Sequence, residues 1–136
     1  NIYDVINFLF LTNVKSNKII KEEITKFEPD VVYIHNLWFK GSLGVMKVLK
    51  KNNLHIVIKL HNFRYLCANT YFSKKHLKGN KFCPACGVGK SLVFNKYFPG
   101  SYLKSFFVIR FSKKLYKIMK TYKLKILLLT DHHKQY

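Results

Sequence analysis

Residues 29–36 read PDVVYIHN and residues 55–62 read HIVIKLHN, two short apolar runs that both end in His-Asn. Between them, residues 41–51 (GSLGVMKVLKK) show the spacing of a helix. A strand, a helix and a second strand make a βαβ unit, whose two strands must be parallel. Sheets of this kind bind ligands outside the carboxyl ends of their strands. The sequence therefore predicts that both His-Asn pairs lie at the ligand-binding edge of a parallel sheet.

The two His-Asn pairs have a structural and a functional interpretation. Each histidine could simply close its strand and bond a nearby carbonyl. That explanation would suffice for one pair, but two pairs in matching positions favour a site. The candidate site residues are His35, Asn36, His61 and Asn62.

The remaining periodic segments predict the rest of the fold. Helices are expected over about 1–12 and 17–27 and from Ser101 to Tyr122, and a buried strand over 124–130. Strands that alternate with helices predict an α/β protein with a Rossmann-like parallel sheet and helices on both faces. The 136 residues are long enough for one domain with a real core.

The predicted helix after Ser101 is strongly amphipathic. Its expected buried face carries Val108, Phe111, Leu115, Ile118, Met119 and Tyr122. Its opposite face, expected in solvent, carries Arg110, Lys113, Lys114, Lys117 and Lys120. Such a basic stripe could draw the protein to an anionic membrane surface, but a solvated face with no partner is the favoured explanation from the sequence.

Residues 63 to about 99 lose all periodicity and contain the three cysteines, Cys67, Cys83 and Cys86. A loop of that length in a compact domain is usually functional or internally cross-linked. The Cys-x-x-Cys spacing suggests a structural zinc site, for which His76 would be the fourth ligand. Reduced structural thiols are an equally good explanation, and a disulfide is the third, because the cytosol disfavours it.

The charge is extreme, because 25 basic and 6 acidic residues give a formal net charge of +19. Such a charge suggests polyanions or anionic membranes as partners. Nearly all of it comes from lysine, however, and arginine occurs only at positions 64 and 110. Abundant Lys, Asn, Ile, Phe and Tyr also fit a compositional bias of the source genome, which is the simpler explanation. No apolar run approaches the ~18 residues of a membrane span.

The order of five segments resembles the amino-terminal domain of the family 4 glycosyltransferases, a retaining group with the two-Rossmann GT-B fold. The segments are PDVVYIHN, IVIKLHNFRYLCANTYF, CPACG, GSYLKSFF and ILLLTDHHK. The resemblance implies transfer of a sugar from a nucleotide-sugar donor to a glycan or lipid-linked acceptor, with no obligatory metal ion. It places His61 at the reaction centre. It makes His35, Asn36, Asn62 and Arg64 the contacts to the acceptor or the sugar.

The resemblance also implies that the chain is part of a larger enzyme. The family's first glycine-rich loop would precede Asn1, and its donor-binding domain would follow the last residue, so this part alone is expected to be inactive. The enzyme would work in the cytoplasm, at the inner face of the membrane. A different class of function is a small basic cysteine-knuckle module that binds nucleic acid through lysines and the aromatic rings of Tyr65, Tyr71 and Phe72. Nucleic acid is the less favoured partner, because these rings are no closer to lysines than others in the chain.

Overall fold

The computed structural model of the chain describes residues 2–38, 41–67 and 101–134. The described part is mixed α/β. Its elements in chain order are α1 (Ile2–Phe10), α2 (Val14–Phe27), β1 (Val31–His35), α3 (Gly44–Lys51), β2 (His55–Leu60), α4 (Tyr102–Thr121), β3 (Lys125–Leu128) and α5 (Asp131–Lys134).

The chain divides into two compact units. The first comprises Asn1–Lys59 and Tyr122–Leu127, and it contains α1 to α3 and most of the sheet. The second comprises Leu60–Thr121 and Leu128–Tyr136, and it contains α4 and α5.

The predicted βαβ unit is confirmed. The sheet has the order β1-β2-β3, and β1 runs parallel to β2 in a register that pairs Val31 with His55 and His35 with Lys59. Ile34, Ile56 and Ile58 are buried, as expected for alternate residues on one covered face of the sheet. The three-stranded parallel sheet is compatible with a partial Rossmann-like domain.

Helix α3 begins at Gly44, later than the predicted helix over 41–51, because residues 41–43 form a turn. Leu43 N–H donates to the carbonyl oxygen of Leu11 at 3.1 Å, which brings the start of α3 against the end of α1. A Cβ at position 44 would collide with Thr12 Oγ1 and lie 2.9 Å from the Asn17 amide group. The close approach therefore requires glycine there. Most of α3 after this point is buried, including Met46 at 0% exposure.

Helix α2 begins at Val14, three residues before the predicted start at 17. The cause is a cap, because Ser16 N–H donates to Asn13 Oδ1 at 3.1 Å. No residue of α2 is buried, and Ile19 and Phe27 are 47% and 66% exposed. Ile19, Ile20, Ile24 and Phe27 share one face of α2, but that face lies outside the core.

The predicted apolar face of α4 is confirmed for its five helical members, all of which are buried: Val108, Phe111, Leu115, Ile118 and Met119. The basic face is only partly as predicted. Arg110, Lys117 and Lys120 are exposed, but Lys113 and Lys114 are half-buried. The reason is that Ser105, Phe107, Ile109 and Ser112 are buried too, so the covered band is wider than a narrow stripe and reaches the flanking lysines. Tyr122, expected on the buried face, is half-buried and lies beyond the helix end.

The predicted strand after α4 is found, but it is shorter than the predicted 124–130 and is not buried. The strand covers Lys125–Leu128, and Ile126 and Leu127 are 42% and 48% exposed. Ile126 and Leu127 project to opposite faces of the sheet, so both faces of β3 are largely uncovered.

The start of the predicted loop over 63–99 is ordered into a compact turn. Leu66 and Cys67 N–H both donate to the carbonyl oxygen of Phe63, at 2.8 and 2.7 Å. Phe63, Tyr65, Leu66 and Cys67 are buried. The rest of that loop lies outside the described residues.

Candidate functional site

His35 is the last residue of β1 and is exposed. Its imidazole meets the ring of Tyr33 edge-on, with centroids 4.4 Å apart and planes at 86°. Residues two apart in a strand project to the same face of the sheet, so this contact follows from the strand itself. The aromatic neighbour restricts the orientations that the imidazole can adopt.

A groove of about 420 Å³ lies beside β1 in the first unit. Three elements supply its walls. They are α2 (Ser16, Ile19 and Ile20), β1 (Val32 to His35) and α3 (Val45 and Leu49), with Leu37 and Gly41 between them. Because most of these side chains are apolar, the groove suits the apolar part of a ligand, and His35 and Tyr33 are among the polar side chains that line it.

The sequence alone did not predict the groove. The apolar residues of α2 recur with helical spacing at Ile20, Ile24 and Phe27, and that pattern does not distinguish a buried face from the wall of an open groove. The half-exposed state of Ile19 becomes visible only in the tertiary structure.

The two site asparagines have clear backbone roles. Asn36, which is exposed, has φ at 46°, in the left-handed region that asparagine tolerates better than most residues. Asn62 Oδ1 accepts a hydrogen bond from the backbone N–H of Arg64 at 3.0 Å, which makes an Asx turn. The backbone therefore gives a reason for each asparagine without any ligand, so the asparagines are weaker evidence for a site than the histidines.

His61 directly follows β2 and is exposed, whereas Asn62 and Arg64 are half-buried. These three residues belong to the second unit and His35 to the first. The parallel pairing of β1 and β2 is as predicted. That the side chains of His35 and His61 face one cleft stays a prediction.

Of the cysteines, only Cys67 lies in the described part, where it is fully buried. Cys83, Cys86 and the proposed fourth ligand His76 lie outside it. Residues 2–38, 41–67 and 101–134 contain no group of three or more His, Cys, Asp or Glu side chains placed to hold a metal ion. The zinc site therefore stays a prediction, as do the reduced thiols and the disulfide.

Tyr65 bears on the nucleic-acid hypothesis. Its side chain is 7% exposed, and burial raises the pKa of its phenol to about 12. A ring buried in this way has no face to offer a base. Tyr71 and Phe72, the other proposed stacking rings, lie outside the described residues.

Comparison with known proteins adds no identification. No protein-family model, curated protein or solved structure matches the chain. Among the described residues, no helix is both long and apolar enough to cross a bilayer. The fold and the groove define the chain only as a mixed α/β protein with a parallel sheet. A histidine lies at the end of one strand, beside an apolar groove.

Proposed function

We propose that the chain is the acceptor-side part of a retaining glycosyltransferase that acts in surface-glycan or lipid-linked glycan synthesis. The observation that supports this most is His35, an exposed imidazole at the carboxyl end of a parallel strand, beside a groove of about 420 Å³. Parallel α/β sheets bind ligands at that edge. An acceptor with hydroxyl groups and an apolar portion matches both the imidazole and the groove.

The resemblance to family 4 glycosyltransferases supplies the roles of individual residues. His61 is the proposed catalytic residue, whose imidazole would stabilise charge as the nucleoside diphosphate leaves. His35, Asn36, Asn62 and Arg64 would contact the acceptor or the transferred sugar. The guanidinium of Arg64 suits a phosphate or carboxylate, which its planar fork can bind through two hydrogen bonds. The reaction as proposed needs no metal ion, and a second Rossmann domain would hold most of the donor.

The proposed site of action is the cytoplasmic face of a membrane, where lipid-linked acceptors are accessible. The formal charge of +19 would favour peripheral association with anionic lipid there.

The decisive experiment uses the protein encoded by the complete reading frame that contains this chain. It is incubated with a panel of nucleotide sugars and a membrane lipid extract, and release of nucleoside diphosphate is measured with and without EDTA. We expect sugar transfer that survives EDTA. The His61→Ala variant should turn over about 100-fold more slowly or worse, because it loses a charge-stabilising group at the reaction centre.

The matched control is His55→Ala. His55 is also exposed, but it starts β2, whereas His61 follows the end of that strand. The control should turn over at close to the wild-type rate, and both variants should bind the donor nucleotide normally. Unchanged turnover in His61→Ala would reject the catalytic assignment. Absence of both transfer and nucleotide-sugar binding in the complete protein would reject the proposed function.

A further inference from the structure

A second, smaller cavity lies near the amino end of β2, away from the strand end that carries His35. Its volume is about 130 Å³. His55 and Ile56 start β2, Lys125 starts β3, and Lys50 lies in the last turn of α3. The complete lining is Lys50, Leu54, His55, Ile56, Tyr122, Lys123, Leu124 and Lys125, all of which belong to the first unit. We call it the lysine pocket.

The charges around the lysine pocket are of one sign. Lys50, Lys123 and Lys125 line it, together with the imidazole of His55 and no carboxylate. Lys50 Nζ lies 6.0 Å from the ring centroid of Tyr122, a cation–π contact within the pocket wall.

No acidic side chain in the described part forms an ion pair with Lys50, Lys123 or Lys125. The ion pairs found among residues 2–38, 41–67 and 101–134 join Lys18 to Glu22 and Lys134 to Asp131. Asp30 contributes a backbone contact next to the pocket, because its carbonyl oxygen accepts the N–H of His55 at 3.4 Å. Its carboxylate is not part of the lining.

A purely structural explanation would be that Lys50 neutralises the negative end of α3. The carbonyl groups at that end already accept hydrogen bonds. Asn52 Nδ2 and the backbone N–H of Asn52 both donate to Val48, at 2.8 and 3.2 Å, and the N–H of Asn53 donates to Lys50 at 3.1 Å. The dipole of α3 also does not explain why Lys125 lines the pocket, because Lys125 starts strand β3. All three lysines are exposed, so solvent screens their mutual repulsion, and an anion bound among them would reduce it further.

We propose that the lysine pocket binds a phosphate group. A phosphomonoester or pyrophosphate carries about two negative charges or more, whereas a carboxylate carries one, so it balances three ammonium groups better. Lysine binds phosphate well as a point charge. The ligand could be a soluble phosphorylated metabolite or the phosphomonoester headgroup of a lipid, since both present the same chemistry. This proposal is independent of the glycosyltransferase activity.

The test is an NMR titration of the ¹⁵N-labelled 136-residue chain with sodium pyrophosphate at constant ionic strength. We expect saturable amide shifts confined to residues around Lys50, His55 and 122–125. The Lys50→Gln/Lys125→Gln variant should bind pyrophosphate about tenfold more weakly or worse, because two of the three lysine charges that line the pocket are gone.

The matched control is Lys47→Gln/Lys51→Gln, which removes the same charge from exposed positions on α3 that do not line the pocket. It should change the affinity less than twofold. Equal weakening in both variants, or shifts spread over the whole surface, would show that binding is diffuse attraction to a basic protein and would overturn the proposal.

Vesicles distinguish the two sources of phosphate. Phosphatidic acid presents a phosphomonoester, and phosphatidylglycerol serves as a phosphodiester control at matched charge. Preferential binding to phosphatidic acid that pyrophosphate displaces would identify a lipid headgroup as the ligand. Equal binding to both vesicles, together with the saturable pyrophosphate shifts, would identify a soluble phosphate.

Discussion

At the scale of single residues, the asparagines and histidines of the two strand ends differ in what explains them. Asn36 fits a backbone with φ at 46°, and Asn62 closes a turn by accepting from Arg64 N–H. Replacing either asparagine would disturb the backbone as well as any ligand. His35 and His61 are exposed, so their substitution tests the site with less disturbance of the fold. The sequence predicted all four positions, but only the structure separates backbone roles from candidate chemistry.

Tyr65 should make stability depend on pH in the alkaline range. Its pKa is 10.0 in the unfolded chain, and burial raises it to about 12 in the folded one. Between these values the unfolded chain releases a proton that the folded chain keeps. The free energy of unfolding should therefore be unaffected by this group below pH 10 and fall as pH rises towards 12, by at most about 3 kcal/mol.

Tyr65→Phe isolates this effect from the other tyrosines and the lysines. Urea denaturation of both proteins between pH 8 and about pH 11.5 should give a constant stability difference up to about pH 10 and a relative gain for the Phe variant above it. If the difference in free energy of unfolding between the two proteins stays constant over the whole pH range, the phenol is accessible to solvent in the folded protein.

At the scale of elements, a non-glycine residue with positive φ comes shortly after each of the four longer helices. It is the next residue after α1 and α2, namely Leu11 (51°) and Glu28 (45°), and the second residue after α3 and α4, namely Asn53 (54°) and Lys123 (49°). Glycine is the usual residue at such a position, and its absence removes the strongest sequence signal for a helix end. Of the four, only asparagine adopts this conformation readily.

Glu28→Gly should stabilise the protein by about 1 kcal/mol. The substitution relieves the left-handed strain of a residue with a side chain, and it removes a negative charge from the carboxyl end of α2, where the helix dipole disfavours it. The backbone N–H of residue 28, which donates to Ile24 at 2.9 Å, is unaffected. The measurement is the free energy of unfolding from urea denaturation followed by circular dichroism.

The control is Glu23→Gly, the same substitution at an exposed position inside α2. There glycine should cost about 1 kcal/mol, because it loses more backbone entropy in a helix. We therefore expect the free energy of unfolding to rise in Glu28→Gly and to fall in Glu23→Gly. Destabilisation in both would mean that the left-handed conformation at Glu28 carries no strain.

The elements that the sequence predicted well are those whose local pattern and tertiary environment agree. β1 and β2 have short apolar runs, and both are found as parallel neighbours. The elements that the sequence predicted poorly are those whose structure depends on residues distant in the sequence. The turn at 41–43 that precedes α3 is held by the hydrogen bond from Leu43 N–H to Leu11, and β3 is exposed because neither of its faces is well covered by another element. Neither cause is a property of the segment itself, so no local pattern could predict it.

At the scale of the whole molecule, acidic residues are too few to balance the lysines. The 25 basic residues face 6 acidic ones, and α4 has exposed cations at Arg110, Lys117 and Lys120 with no acidic residue in its sequence. In α2, by contrast, two glutamates accompany the lysines, and Lys18 lies 3.8 Å from Glu22. The two helices therefore provide matched surfaces of different net charge.

We expect the protein to sediment with anionic vesicles and not with neutral ones, and binding should fade as salt is added. Basic residues near an anionic membrane each contribute about 1 kcal/mol, so changing Arg110, Lys117 and Lys120 of α4 together to Gln should weaken binding strongly. The control changes Lys18, Lys21 and Lys26 of α2 to Gln, an equal loss of charge from a helix that also carries glutamates. A smaller effect there would identify α4 as the membrane-facing surface. Equal weakening in the two variants would mean that net charge alone drives binding. If the α4 variant binds vesicles as well as the wild type does, α4 has no role in membrane binding.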